Sequence, residues 1–568
     1  MTTGSHIAPR ATRLVIAAAA AVAVAAVLVA AAGTSPAGAQ DAAQEASQGP
    51  VVEPARQLTT QQNPARLFAH PDIAVHPDDP STVGVFMGDV RNPECGVRVS
   101  QDGGLSWSDF HSVMPNDEPF CIQRNFGPAL DLEFAADGTM YMAMSGSSAE
   151  TEPPHPDGPV SALVARSPDL GQSHETFTLV DSGINDSYQH RDGETYGVVQ
   201  HRKYNNLAVD PNDAQQVYRA WEKRVRGVDQ GPVPGWGLGC PDNCAPLRSK
   251  LAISTDGGDS WSEPIDLLDA AGMDDVFGLA VPRMVVGSDG TVYAFAQESR
   301  DRGSEEPDRL FMLTSTDGGQ SWQGQEILEG VAEYREPEAA INHSNGNLYL
   351  TWSQRGDSEE NPSSVVFMAS TDGGESWTEP TDITDEPAER GVNQYLPGIS
   401  VAPNGRIDVA WFDYRNDPFF TGGEPGSMGT TVNERFWDVY YTYSTDGGQS
   451  WAPNMRVNDR LNDGNVGVTF SNQDIRGPIA VGSTSATAMF AWPDARAGGA
   501  QEDVQDVYFS RVRHDGAAAT AASDGEAEGL PGWGWALLGA AIGLLIAGLL
   551  LVVALRSTRL GRRQAAPA

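Results

Sequence analysis

The chain has 568 residues, with 37 basic against 76 acidic side chains and a formal net charge of -39. Such a balance excludes a binder of nucleic acid or of anionic lipid head groups, since both need a surplus of Lys and Arg. The four cysteines, Cys95, Cys121, Cys240 and Cys244, are few enough to be treated one by one.

In chain order, Arg10 and Arg13 precede an apolar run from Leu14 to Ala32, and Ala37-Gly38-Ala39 follows. Basic, apolar and small-residue segments in that order predict a secretory signal peptide over residues 1–39. Residues 40–53, rich in Ala, Ser and acids without an apolar period, are expected to form a linker.

From 54 to 513 one pattern recurs. SQDGGLSW at Ser100, STDGGDSW at Ser254, STDGGQSW at Ser315 and again at Ser444, and STDGGESW at Ser370 share one spacing; SPDLGQSH at Ser167 is a worn copy. Two strand-like runs joined by a Gly, Asn or Asp turn precede each copy, as in PRMVVGSDGTVYAFAQE before Ser315. A seventh pair, GPIAVGSTSATAMFAWPD, leads only to DVYFSRV. Units of three or four short strands at this period predict an all-β propeller of about seven blades, or six, because radial packing removes the exposed edges of single sheets. The last unit lacks an outgoing strand, which ARQLT at 55–59 is placed to supply by closing the ring. Within each copy the Asp (Asp102, Asp256, Asp317, Asp372, Asp446) is expected to accept turn N–H groups. The second Gly allows positive φ and the Trp packs on the neighbouring blade.

Residues 514–532 again lack an apolar period and predict a flexible stalk. The apolar stretch Trp535 to Leu555, about 30 Å long as a helix, predicts a transmembrane helix over 533–555. Arg556, Arg559, Arg562 and Arg563 then keep a short tail, 556–568, in the cytoplasm. Leu530-Pro531-Gly532-Trp533-Gly534 resembles the LPxTG sorting signal of Gram-positive surface proteins, but Trp533 replaces the Thr, which favours a retained anchor. The propeller then lies outside the cell, where Cys95 with Cys121 and Cys240 with Cys244 are the simplest disulfides.

The pattern S-x-D-x-G-x-S-W resembles the Asp box, or BNR repeat, of the sialidase-like propellers. In that family the boxes lie on the face away from the active site, which directs attention to the starts of first strands and the ends of second strands. A recurrent acid-x-Arg stands there: Asp89/Arg91, Glu298/Arg300, Asp413/Arg415 and Asp494/Arg496. It reads either as a ring of guanidiniums for a ligand or as local pairs that fix loops between blades. The resemblance further implies three arginines that clamp a sugar carboxylate, a Tyr nucleophile activated by a Glu, and an Asp acid/base. Glu338 and Arg355 bracket a stretch similar to the family's activating Glu and second Arg; Arg435 falls where the third Arg would, and Arg124 loosely matches the first. Asp157 sits in the loop of the acid/base. The strand after Arg435 begins SNQDIRGPIAV without a Tyr, and Tyr395, one blade earlier, is the nearest substitute.

Two functions follow: an exo-sialidase-type glycoside hydrolase at the cell surface, or a non-catalytic propeller that binds a glycan or a protein partner. The ten His show no metal-binding spacing, and neither a Gly-rich phosphate loop nor a G-x-S-x-G elbow occurs, so no cofactor or metal is expected.

Overall fold

The computed structural model describes residues 49–514 except 61–62, 64, 90–91, 93, 114–129, 148–159, 181–186, 190–194, 198, 227–247, 277, 281, 299–308, 331–336, 355–362, 388–389, 419–434, 465–477 and 499–503. The expected signal peptide, transmembrane helix and tail lie outside these residues, as does the stalk beyond His514. Among the described residues no helix is long and apolar enough to cross a membrane.

The chain is an all-β propeller. Five antiparallel sheets of four or five strands stand alone: they begin with Asp131–Phe134, Val199–Asp210, Arg283–Val286, Glu338–Ile341 and Gln394–Val401. A nine-stranded sheet holds two more units, one beginning with Arg66–Val75 and one with Ala480–Ser483. These meet where Arg66 and Leu67 pair in parallel with Val504 and Gln505. Counted in chain order from Arg66, the units are numbered 1 to 7 here. The single described helix is the turn Leu267–Ala270, capped by Asp266.

The expected closing strand is present. Arg56 and Gln57 pair antiparallel with Phe509 and Tyr508 of the last strand, Val504–Arg513. Closure starts earlier than residue 54, because Val51 and Val52 pair with Arg513 and Val512, and Glu53 takes a bidentate ion pair from Arg511 at 2.7 and 2.9 Å. The sequence shows why the boundary was missed: Val51-Val52 is too short to give a period.

Each junction between successive units has its own apolar core. Phe86 and Val97 pack with Leu132 and Met142 between units 1 and 2; Phe295 and Leu310 with Trp352 and Val366 between 4 and 5; Val83 and Val85 with Phe509 between 7 and 1. Strands read as near-continuous apolar runs because both faces of every sheet are covered.

Candidate functional site at the axial cavity

The boxes form tight turns between third and fourth strands. Ser315 Oγ donates to Asp317 Oδ1 at 2.8 Å and accepts from Gly319 N at 2.8 Å, while Gln320 N and Ser321 N donate to the same Oδ1 at 3.0 and 2.9 Å. Hydrogen bonds from the Ser321 side chain and backbone, then from Ser315, hold the Asp317 carboxyl down at about 2. Asp372 and Asp446 are held equally low by the same bonds, and Asp102 and Asp256 accept in the same way. Both glycines, not only the second, have positive φ: 74° and 86° at Gly318 and Gly319. The second also lies against the preceding unit, where a Cβ on Gly104 would be 2.5 Å from the Phe509 ring. The tryptophans follow, edge-on to the ring of the unit before: Trp107 on Phe509 and Trp451 on Phe367 at 4.9 Å, Trp377 on Phe295 at 5.8 Å. Each of these contacts ties a box to its own turn or to the unit before it.

The other end of the sheets holds the candidate site. The first strands of all seven units line one central cavity of about 400 Å³. Asp72, Asp131, Asn206, Arg283, Glu338, Gly398 and Ala480 occupy corresponding places in the ladder between first and second strands, and all face the cavity. Three stitch one unit to the next through a backbone amide. Asp72 Oδ2 accepts from Leu132 N at 2.7 Å, Asp131 Oδ2 from Leu207 N at 2.6 Å, and Asn206 Oδ1 from Met284 N at 2.6 Å. Asn206 Nδ2 also donates to Asp131 Oδ2 at 2.9 Å, and Arg283 Nη2 donates to Glu338 Oε1 at 2.7 Å. Gly398 is required because a Cβ would run into the Ile479 carbonyl.

Two residues further along its strand, Glu133 also lines the cavity. Burial, reinforced by Asp131, pushes its carboxyl up to about 8. Asp72 is likewise raised, first by burial and then by the charge and hydrogen bond of Asp131.

Of the residues expected at the site, Glu338 is where the sequence placed it, at the start of a first strand and on the cavity, with Arg283 as its partner. Arg435 is elsewhere: 42 % exposed, it holds Asp463 through Nε at 2.8 Å and stacks over the Phe436 ring at 4.8 Å. Tyr395 is 1 % exposed in the core between units 6 and 7, edge-on to Tyr414 at 6.0 Å, which is no position for a nucleophile that must meet substrate. Arg124, Arg355 and Asp157 lie outside the described residues, as do Cys121, Cys240 and Cys244. Cys95 is fully buried and disulfide-bonded. The acid-x-Arg pairs are local locks where they are described. Arg415 Nη2 donates to Asp413 at 2.8 Å and Arg496 Nη2 to Asp494 at 2.7 Å, each over a tyrosine ring.

Asp72, Asp131, Asn206 and Arg283 were missed as a set. Their signal is positional: each is the polar residue directly before the apolar core of its first strand, in PDIAV, ALDLEF, YNNLAV and PRMVV.

The BNR repeat-like domain matches residues 240–394, and the BNR repeat-containing family member matches 339–477. A search of the curated proteins finds no match. Among solved structures the chain is similar to a Hadza microbial sialidase, at 15% identity and TM-score 0.41 over 77% of this chain and 74% of that one. It is similar also to a Trypanosoma rangeli sialidase in complex with sialic acid, at 13% and 0.40 over 68% of this chain, which spans about half (54%) of that one. The third is a Penicillium chrysogenum alpha-L-arabinanase complexed with arabinobiose, at 10% and 0.41 over 82% of this chain and 99% of that one. The two matches, over residues 240–477, and the five complete boxes at one spacing show that the chain carries BNR (Asp-box) repeats.

Proposed function

We propose that the chain is a seven-bladed propeller, exported and held at the cell membrane by its C-terminal apolar segment, which acts on glycans at the box-distal mouth of its axial cavity. One observation carries this reading. At seven corresponding positions around one cavity the residues are unlike, five of them polar, whereas the box end repeats itself. Unlike donors and acceptors converging from rigid strands are what orients a hydroxyl-rich ligand. Glu133, whose carboxyl is pushed up to about 8, and Glu338, which accepts from Arg283, place two carboxyl groups in unlike surroundings in one cavity, and glycoside hydrolysis uses a pair of carboxyl groups.

The second reading, recognition without cleavage, is favoured by the placements of Tyr395 and Arg435, neither of which is among the residues lining the cavity. Purified full-length chain, assayed on aryl sialosides and neutral aryl glycosides and on a glycan array, separates the two. Sugar release that Glu338→Gln removes without lowering the unfolding midpoint supports the hydrolase; binding without release supports recognition; neither release nor binding ends the glycan reading. Protease treatment of intact cells tests the export: the propeller is digested if it stands outside. Non-reducing peptide mapping tests Cys95 with Cys121 and Cys240 with Cys244.

A further inference from the structure

The charges on the cavity wall bear on which glycan fits. Among the described lining residues, the carboxyls of Asp72, Asp131, Glu133 and Glu338 face one guanidinium, that of Arg283, which is already bonded to Glu338. Burial and mutual repulsion keep protons on two of these carboxyls above the ordinary range, so the cavity already resists negative charge from its own residues. A ligand carboxylate or sulfate entering it would meet the same resistance from the described wall and would lose its water without gaining a second guanidinium from it. Sugar hydroxyls meet the opposite situation: they donate to the oxygens of Asp131 and Asp72 and accept from a protonated Glu133.

We infer that the axial cavity takes an uncharged, hydroxyl-rich sugar and rejects carboxylated or sulfated ones, a narrowing that rests on the glycan reading above. The discrimination comes from repulsive groups built into the wall rather than from extra contacts to the favoured ligand. It also depends on pH. The titratable and charged groups that share the cavity with Glu133 are Asp131 on its own strand, Asp72 and His70 from unit 1, Arg283 from unit 4, and Glu338 and His343 from unit 5. Between pH 6 and pH 9 Glu133 ionises and adds a negative charge to this wall.

The test is equilibrium binding of the full-length chain to neutral pentose- and hexose-terminated oligosaccharides, and to the same oligosaccharides capped with a carboxylated sugar. Neutral ligands are expected to bind at least about tenfold tighter, the effect of one partly screened charge contact. For wild type the ratio widens from pH 6 to pH 9; for Glu133→Gln, isosteric with the protonated acid, it widens less. Capped ligands that bind as well as their neutral parents, or better, overturn the inference and leave the glycan reading standing. Neutral selectivity whose pH dependence survives undiminished in Glu133→Gln, with no loss in the unfolding midpoint, removes Glu133 from it. Absence of binding across the whole panel sinks the glycan reading and the inference together.

Discussion

At the box end of the sheets, five turns repeat Ser, Asp, two Gly and Trp with the same hydrogen bonds. At the other end of the same sheets, seven corresponding positions hold Asp, Asp, Asn, Arg, Glu, Gly and Ala. The strands are alike and the packing between units is alike; only the demand differs. A turn that docks on the preceding unit has one good solution, so it recurs. A residue on a shared cavity has a different neighbour in every unit, so the sequence there diverges. Uniformity therefore marks scaffold in this molecule, and divergence at a fixed register marks where chemistry can sit.

Substitutions that separate steric from electrostatic roles can break this contrast. The largest effect is expected at Gly448, where a Cβ would penetrate the Phe367 ring at φ +88°: Gly448→Ala should cost about 3 kcal/mol, from overpacking plus left-handed strain, read as a loss in chemical denaturation. Its neighbour Gly447 has φ +77° and open space, so Gly447→Ala should cost only about 1 kcal/mol. Equal losses at the two would deny that the second glycine is fixed by contact with the unit before.

At the cavity end the signature is a pH slope. Glu133 is raised from an ordinary 4.5 to about 8, so its protonated form favours the fold; that contribution is complete below about 4.5 and is lost as pH rises to about 8. Glu133→Gln should therefore raise the unfolding midpoint at pH 8 and leave it unchanged at pH 4. The boxes slope the other way. Asp317, lowered to about 2, stabilises above its unfolded value and loses that contribution as pH falls from about 4 toward 2. Asp317→Asn should therefore lower the unfolding midpoint at pH 8, flatten the acid limb of the thermal stability curve and change little near pH 2. The smallest effect is expected at Arg435, whose pair with Asp463 is exposed: Arg435→Ala should change stability by about 0.5 kcal/mol and leave ligand binding as it was. A strong loss of binding there would return Arg435 to the site.

The scaffold was legible in the sequence because its determinants are local. Ser, Asp, Gly, Gly and Trp act within eight residues, and a repeat makes them visible. Even the closing strand could be read, since the last unit was one strand short. The cavity was hardly legible, because its members stand 59 to 77 residues apart and are related by register rather than by a motif: Asp72, Asp131, Asn206, Arg283. Glu338 was found through family likeness, which correctly placed it at a strand start. The same likeness led to Tyr395, which packs in the core between units 6 and 7, and to Arg435, which Asp463 holds at the surface; no local pattern encodes either the packing or the ion pair.

The closure of the ring has one further consequence. Val51 lies opposite Arg513, and paired residues on antiparallel strands are about 5 Å apart, so a few added residues are enough to join residue 49 to residue 514 covalently. A chain joined there and opened instead at the exposed turn before Gly405 would present every strand with the same partners. Its ring would be completed by a different blade, made of strands from the middle of the present sequence. Synthesis order is thus incidental to this architecture, and circular permutants are expected to reach the same fold.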